Sequence, residues 1–376
     1  MPAWNEAENI KRMIEELVKR EFPTIDADMQ LLVVDNHSKD GTTKIVEDAS
    51  KTYKHVHLIE QDKPGLGWAY ARGMQYAMKE LKADAVMEMD ADFQHPPRFV
   101  KPMVDAYLNG AEYVIGSRYI KGGSVPKQWA ASRKAVSFFG NLFIRIALLN
   151  FKVHDLTTGF RLTKVDGVLN KINLEKLHKL ERFSHKVDLL YQSLKNSKNT
   201  VEVPLEFETR TKDKSKFNWK EMISTFELAI YLGIMDKQRF IKFGTVGFLG
   251  FVVNYIFLRV FRTLGFNETL VWLFATELAI VSNFTLNNIW TFKEAKIAGL
   301  KATILKFFQF NLTSVGALII QAIAGPFGVK LIGVKYDALI LAFVVVFLVL
   351  PYNYLMYNLV IWKTWKLPWT KSKEPA

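Results

Sequence analysis

Residues 83–96 read ADAVMEMDADFQHP, in which a short, mostly apolar run is followed at once by Asp90, Asp92 and Gln94. The run has the length and composition of a buried strand, so these polar side chains lie where a strand gives way to a loop. In an open α/β sheet, ligands bind in the crevice at the carboxyl ends of the strands. Oxygen ligands at i, i+2 and i+4 there suit Mg²⁺ or Mn²⁺ held against a diphosphate. Taken alone, an Asp-x-Asp pair can also be a solvated acidic turn.

Around this stretch, short apolar runs alternate with helical patterns. Asn5 and Glu8 predict a capping box at the start of the first helix. Further strands are predicted at 31–34 and 57–59, the first followed by the polar loop 35–42. Strands that alternate with helices predict an α/β domain with a mostly parallel sheet, whose loops after the strands share one crevice.

The composition changes along the chain. The 376 residues carry a formal charge of +13 and include no cysteine, which excludes disulfides and thiolate metal sites. From about Phe240 long apolar runs dominate, so we predict a soluble domain followed by a membrane domain. Anionic lipid headgroups and a phosphorylated substrate explain the positive charge better than nucleic acid, for which no binding module is present.

Four apolar segments, at 240–261, 269–290, 303–327 and 337–362, are long enough to span a bilayer. Lysines concentrate between the second and third segments and in the C-terminal tail, so the positive-inside rule predicts that the soluble domain and both termini are cytoplasmic. Polar residues within the second segment predict either hydrogen bonds between helices or a path for a lipid-linked substrate. These residues are Glu277, Asn283, Asn287 and Asn288.

Two further stretches, 133–149 and 219–234, combine apolar and charged residues at helical spacing. They are predicted to lie in the membrane interface and to hold the crevice against lipid. The alternative is that both pack on the sheet as ordinary helices.

A set of segments, in order and at matching spacing, resembles the polyprenyl-phosphate sugar synthases, the family-two glycosyltransferases that include dolichyl-phosphate mannose synthase. They are Pro2–Glu6, Asp35–Thr42, Asp90–Pro96, Gly116–Tyr119, Arg133–Lys134, Thr158–Arg161, and Arg210 with Ser215–Lys216. The C-terminal segments resemble the four-helix GtrA-like domain that is fused to some of these synthases. The resemblance implies a nucleotide-diphospho-sugar transferase fold with a mostly parallel sheet, followed by an all-α domain of four transmembrane helices.

The resemblance also implies a reaction. Mannose would pass from GDP-mannose to a polyprenyl (dolichyl) phosphate in the bilayer, with inversion at the anomeric carbon and with Mg²⁺ or Mn²⁺. Two alternatives stay open: glucose transfer from UDP-glucose, and translocation of a lipid-linked sugar with a non-catalytic soluble half. No histidine is expected to act as a base, because a phosphate monoester is largely dianionic at neutral pH.

The resemblance also implies roles for the residues of this chain that match the family's motifs. The implied metal ligands are Asp90, Asp92 and Gln94. The implied donor-binding residues are Pro2, Trp4, Glu6, Val34, Asn36, Asp90, Ala91, Asp92, Gln94, Arg118, Arg210 and Lys216. Arg118, Arg133 and Ser137 would bind the acceptor phosphate, and Asp92, Arg118, Arg133 and Arg210 are the implied catalytic residues. The alternatives are a core aromatic for Trp4 and a solvated basic face for the arginines.

The predicted organisation has four parts. A cytoplasmic catalytic domain covers 1–217, with an interface helix at about 130–150, and a second interface helix covers 218–236. A GtrA-like domain covers 237–365, and a cytoplasmic tail covers 366–376.

Three departures from the family pattern bear on these expectations. Asn36 stands where a second aspartate is usual, which leaves the base preference open, and Asp213 replaces a glycine. The family has an apolar strand before the segment that begins at Pro2, so we expect the natural reading frame to begin earlier.

Overall fold

A computed structural model describes residues 1–209 and 219–365. Contacts within the chain divide it into two compact units, Met1–Gly233 and Ile234–Ala376. The first is an α/β unit and the second is built from long apolar helices.

In the described part of the first unit, strands and helices alternate as predicted. The strands are β1 (Pro2–Ala3), β2 (Leu31–Asp35), β3 (Val56–Glu60), β4 (Ala85–Glu88), β5 (Tyr113–Ser117), β6 (Arg161–Lys164) and β7 (Thr200–Pro204). The helices are α1 (Ala7–Glu16), α2 (Thr42–Thr52), α3 (Leu66–Lys79), α4 (Val100–Leu108), α5 (Ala131–Ala147), α6 (His185–Asn196) and the start of α7 (Trp219–Thr263).

The strands form two hydrogen-bonded groups. Strands β1, β2 and β3 are parallel to one another, with Val34 opposite Ile59. The second group has the order β4-β6-β5-β7, in which β6 runs antiparallel to β4 and β5 while β5 and β7 are parallel. Three of the five pairs between described strands are parallel, and the prediction of a mostly parallel sheet is confirmed.

Helix α1 illustrates how the apolar pattern builds the core. Ile10, Met13 and Ile14 recur at i, i+3 and i+4 and are almost fully buried. They join a cluster that includes Val33 of β2 and Met103 of α4. Burial of each such side chain stabilises the fold by about 1.5–3 kcal/mol, so this face fixes α1 against the sheet.

The predicted capping box at the start of α1 is wrong. The helix begins after Glu6, and the Asn5 side chain instead accepts a hydrogen bond from the Lys39 amide at 3.0 Å. Asp40 supplies the missing acceptor, because its Oδ2 receives the Ala7 amide at 2.9 Å. The loop after β2 crosses the helix terminus, so a distant carboxylate caps the helix and fixes that loop beside the segment that follows β1.

The second unit contains the helices expected of a membrane domain. After α7 come α8 (Glu268–Leu286), α9 (Leu300–Ile332), α10 (Asp337–Val344) and α11 (Leu350–Met356). Four described segments are long and apolar enough to cross a membrane, in agreement with the prediction: Trp219–Thr263, Thr269–Thr291, Leu300–Ile332 and Ala342–Ile361.

Polar residues in the second predicted span behave differently from one another. Asn288 exchanges two hydrogen bonds with the Ile297 backbone and accepts one from Trp362 Nε1 at 3.1 Å. Trp362 in turn stacks on Phe292, with ring centroids 4.3 Å apart. Asn288 therefore connects distant segments, as the interhelical alternative predicts, whereas Glu277 is exposed.

Candidate active site

A cavity of about 840 Å³ lies within the first unit. It is bordered by the loops that follow β1, β2 and β4, by α5, by the segment before β6, and by the starts of α6 and α7. Most of the residues predicted for the site and described by the structure line it: Pro2, Trp4, Glu6, Asn36, Asp90, Ala91, Asp92, Gln94, Arg118, Arg133 and Ser137. The fold thus brings together side chains that are far apart in sequence.

The loop after β4 turns sharply at its centre. Phe93 has φ 63°, a left-handed conformation that L-residues other than Asn, Asp and Gly adopt at a cost of about 1–2 kcal/mol. The turn lets Asp92 Oδ1 accept the Gln94 amide at 3.1 Å. The buried Phe93 ring, with the Arg12 guanidinium 4.7 Å above it, holds the turn in place. Backbone strain of this kind is characteristic of functional loops.

Asp90 is held by groups that were not predicted. Tyr70 donates to Asp90 Oδ1 at 2.9 Å, and Lys186 Nζ lies 3.5 Å from the same oxygen. Burial, together with the carboxylates of Asp90 and Glu88, raises the pKa of Tyr70, so its hydroxyl keeps the proton that it donates. One oxygen of Asp90 is therefore oriented by its neighbours.

His95 lies behind this loop and is not placed as a base. Its ring stacks on Phe160 at 5.2 Å, and its Nδ1 accepts the Asp90 amide at 3.2 Å. Burial lowers the pKa of His95, so the imidazole stays neutral. These contacts give His95 a structural role in the loop.

Arg118 lines the cavity but is already paired. Its Nε and Nη2 lie 2.7 and 2.8 Å from the two oxygens of Asp155, and Nη2 also donates to Thr157 Oγ1. The side chains of Arg118 and Asp155 are 8% and 0% exposed. Burial alone would raise the pKa of Asp155, but the Arg118 guanidinium and several hydrogen bonds outweigh it and hold that pKa low.

This pairing leaves one edge of Arg118 for a ligand. Its Nη1 group makes no hydrogen bond to any residue that the structure describes. A guanidinium presents its N–H groups in a fixed fork, so the Asp155 contact also fixes the direction of Nη1.

The other two predicted phosphate ligands lie on helix α5 or at its start. The Arg133 guanidinium is 4.0 Å above the Trp129 ring, and Ser137 Oγ is 2.6 Å from Tyr119 Oη. Both residues line the cavity together with Arg118. Arg133 itself is exposed, which leaves the solvated alternative open for that residue.

The predicted donor contacts divide into two groups. Trp4 is 52% exposed and lines the cavity, so it is not a core aromatic. Val34 is 2% exposed, and its side chain packs against Gly73 of α3. It is not among the residues that line the cavity, and its contact with the donor stays a prediction. Arg210, Ser215 and Lys216 lie outside the described residues.

The two predicted amphipathic stretches expose large apolar side chains next to the cavity. Helix α5 buries Asn141 and Ile144 and exposes Val136, Phe138, Phe139, Phe143 and Ile146. The start of α7 buries Leu228, Ala229 and Leu232 and exposes Trp219, Ile223 and Ile230. Such faces are expected of helices in a membrane interface.

The donor set at the loop after β4 fits a hard divalent cation. Asp90, Asp92 and Gln94 offer only oxygen atoms, and all three line the cavity. In the described part of the chain no cluster of three or more His, Cys, Asp or Glu side chains has a metal-binding arrangement. A cation here would therefore complete its coordination with ligand or water oxygens, as Mg²⁺ sites commonly do.

Comparisons with known proteins identify the family of this chain. The family model for glycosyl transferase family 2 matches residues 1–169, and the model for the GtrA/DPMS transmembrane domain matches residues 242–362. The dolichol-phosphate mannosyltransferase of Pyrococcus furiosus is 34% identical over 321 residues, which cover 82% of this chain and 84% of that protein. The chain belongs to the polyprenyl-phosphate mannosyltransferase family. It is a glycosyltransferase and an integral membrane protein.

Two further relatives with names of the same kind match a shorter part of the chain. The polyprenol monophosphomannose synthase of Mycolicibacterium smegmatis is 33% identical over 220 residues, 58% of this chain and 79% of that protein. The undecaprenyl-phosphate mannosyltransferase of Micrococcus luteus is 34% identical over 224 residues, 58% of this chain and 86% of that protein.

Two residues of the site, Tyr70 and Lys186, were not predicted from the sequence, and Asp155 was noted beside the matched segment 158–161 without an assigned role. Each of the three acts on a predicted residue from a distant part of the chain. Tyr70 and Lys186 lie in ordinary amphipathic helices, and no spacing marks them.

Proposed function

We propose that this protein transfers mannose from GDP-mannose to a polyprenyl (dolichyl) phosphate and inverts the configuration at the anomeric carbon. The observation that carries the proposal is one cavity lined by an acidic loop, by an arginine fixed on Asp155, and by helices with exposed apolar faces. These three features correspond to the donor diphosphate, the acceptor phosphate and the lipid. The names of the three relatives support the choice of mannose.

The donor nucleoside would bind between the segment after β1 and the loop after β2. Trp4 offers an aromatic face for the base, and Pro2, Glu6 and Asn36 line the same cavity. Stacking of a base on an aromatic ring contributes about 1–3 kcal/mol. Asn36 can accept a hydrogen bond from the base through its amide oxygen, but it bears no charge. It therefore discriminates between guanine and uracil less strongly than an aspartate would.

Asp92 and Gln94, with a contribution from Asp90, would hold Mg²⁺ or Mn²⁺ against the donor diphosphate. A divalent cation there supplies charge neutralisation for the departing nucleoside diphosphate. Ala91, between the two aspartates, is buried and keeps their spacing. Arg210 and Lys216, which match the family's pattern, are proposed to bind phosphate as well.

The acceptor phosphate would bind Arg118, Arg133 and Ser137. The free edge of Arg118 and the Arg133 guanidinium are suited to bidentate contact with phosphate oxygens. They would hold a dianion next to an anionic donor and align it with the anomeric carbon. The exposed apolar faces of α5 and α7 are suited to the polyprenyl chain and to lipid.

The chemistry is then a single displacement. An oxygen of the acceptor phosphate forms the new bond to the anomeric carbon, and the bond from that carbon to the nucleoside diphosphate breaks. No general base is needed, because the acceptor is already largely deprotonated at neutral pH. The neutral, buried His95 is consistent with this route.

We further propose that the first unit and both termini are cytoplasmic and that the domain limits are those predicted from the sequence. The lysines that follow α8 support this orientation through the positive-inside rule.

The test is lipid product formation by the purified protein in detergent. Radiolabelled GDP-mannose and UDP-glucose are supplied in parallel with a polyprenyl phosphate, with either cation or with a chelator. We expect label in the lipid phase from GDP-mannose, and only with a cation. Label from UDP-glucose alone would show that the transferred sugar is glucose and not mannose. Label from neither donor would contradict the proposal.

A further inference from the structure

Lys186 occupies an unusual position for a lysine. It lies in the first turn of α6, is only 2% exposed, and lines the cavity. Removing an ammonium group from water is unfavourable unless the charge is paired and hydrogen-bonded. A buried lysine at the wall of a substrate cavity therefore needs an explanation.

The surroundings hold the ammonium at the cavity wall. Nζ lies 3.5 Å from Asp90 Oδ1 and 5.0 Å from the centroids of the Tyr70 and Phe183 rings. The Lys186 carbonyl accepts a hydrogen bond from the buried Arg161 Nη1 at 2.7 Å, which fixes the backbone of this turn. Any side chain at Gly159 would collide with the ammonium, so the glycine leaves the space that Lys186 fills.

The hydrogen-bonding capacity of Lys186 is not used by the part of the chain that the structure describes. Its 3.5 Å contact with Asp90 is an ion pair longer than a normal hydrogen bond, and the ammonium donates no hydrogen bond to any of the described residues. An ammonium has three donors and no acceptor, whereas a carboxylate only accepts. The cavity wall thus presents unused donors beside an acceptor.

This pair suits a polyol better than a phosphate. Neighbouring hydroxyl groups on a sugar ring can each accept from an ammonium or donate to a carboxylate. Phosphate oxygens in direct contact with the Asp90 carboxylate, with no cation between them, would be repelled by it. We propose that Lys186 determines specificity by donating a hydrogen bond to a ring hydroxyl of the transferred sugar, while Asp90 accepts from a neighbouring hydroxyl.

The inference rests on the proposed function, because it requires a nucleotide sugar in the cavity. It assigns Lys186 a direct contact rather than the role of merely neutralising Asp90. A site built to bond a hydroxyl discriminates strongly against a ligand that lacks it, because the buried group is then left unpaired. Donors that lack single hydroxyl groups therefore distinguish the two roles.

The experiment uses Lys186→Met in the full chain, with the exposed Lys176→Met as the matched control. With the natural donor, loss of a charged hydrogen bond should lower kcat/KM about 10- to 100-fold. Donors lacking one ring hydroxyl at a time are then compared. One of them should react equally well with the wild type and with Lys186→Met. An equal loss with every donor, or no loss with the natural one, would overturn the proposal.

Binding measurements separate this proposal from the failure of the reaction or of folding. Affinity for the nucleoside diphosphate alone should be the same in the wild type and in Lys186→Met, which also shows that the variant is folded. Affinity for the nucleotide sugar should fall. The measurement uses whichever of GDP-mannose and UDP-glucose binds the wild type. It therefore tests the contact between Lys186 and the sugar even if no lipid product forms. Lys186→Gln, which keeps an amide donor, should lose less than Lys186→Met, and an unchanged nucleotide-sugar affinity in both variants would contradict the contact.

Discussion

Replacement of Asp155 by Asn tests how the cavity fixes Arg118. The carboxylate is fully buried and holds the guanidinium through contacts of 2.7 and 2.8 Å. It also accepts the backbone amides of Thr157 and Thr158, each at 3.1 Å. Asparagine keeps the shape but loses the charge, and its amide group would face a donor of Arg118. The guanidinium would then be buried without its counter-charge.

The expected magnitude follows from that geometry. Breaking a buried ion pair by removing one partner destabilises a protein by about 3–5 kcal/mol. For a unit of the size of Met1–Gly233, each kcal/mol lowers Tm by roughly 2–4 °C, which predicts a decrease of roughly 6–20 °C. The loss of a fixed Arg118 edge should also lower kcat/KM for the acceptor about 10- to 100-fold, with little change in donor affinity.

Thermal unfolding of the purified protein and initial rates at varied polyprenyl phosphate provide the two measurements. Glu206→Gln is the matched control, because Glu206 and Arg98 form an ion pair at 3.1 Å in which both side chains are about half exposed. Such pairs contribute about 0–1 kcal/mol, so this variant should keep its Tm and its activity. If Asp155→Asn behaved like the control, the assigned role of Asp155 would be wrong.

Two other predictions concern pH and the donor. Burial lowers the pKa of His185 to about 3, so the unfolded chain, with an imidazole pKa near ~6.5, binds the proton first and stability falls as pH drops below ~6.5. Between pH 7.5 and 5 the loss of stability is about 2 kcal/mol. In His185→Asn the amide can replace the Nδ1 contact to the Arg182 carbonyl, so thermal unfolding of this variant should show a smaller dependence of stability on pH in that range. An unchanged pH dependence would exclude this explanation. Trp4→Ala should weaken GDP-mannose binding about 5- to 150-fold through lost stacking, with Trp4→Phe in between. Equal affinities of the two variants and the wild type in titration calorimetry would remove Trp4 from the donor site.

Local patterns in the sequence were sufficient to predict the architecture. The alternation of strands and helices, the buried face of α1 and the four apolar segments depend on periodicity and length, which neighbouring residues determine. The loop after β4 was predictable for the same reason, since polar residues that directly follow a strand lie at the edge of the sheet.

The errors and omissions arise from contacts between distant segments. Asn5 has the sequence signature of a helix cap, yet Asp40 provides the cap because the loop after β2 crosses the helix end. The side chain of Val34 lies against Gly73 of α3, a contact that depends on how that helix packs on the sheet. The pairing of Lys186 with Asp90 depends on how α6 packs on the sheet, which no local pattern records.

The central claim is that sugar transfer takes place in this cavity, and Asp92→Asn tests it most directly. Asp92 is 2% exposed and accepts the Gln94 amide, so the isosteric change keeps the loop while removing the charge proposed to hold the cation. The measurement is the initial rate of lipid labelling from GDP-mannose by the wild type, Asp92→Asn and Glu206→Gln under identical conditions. We expect a loss of at least about 100-fold in Asp92→Asn and a normal rate in Glu206→Gln. A near-normal rate in Asp92→Asn would show that transfer does not depend on this cavity as described.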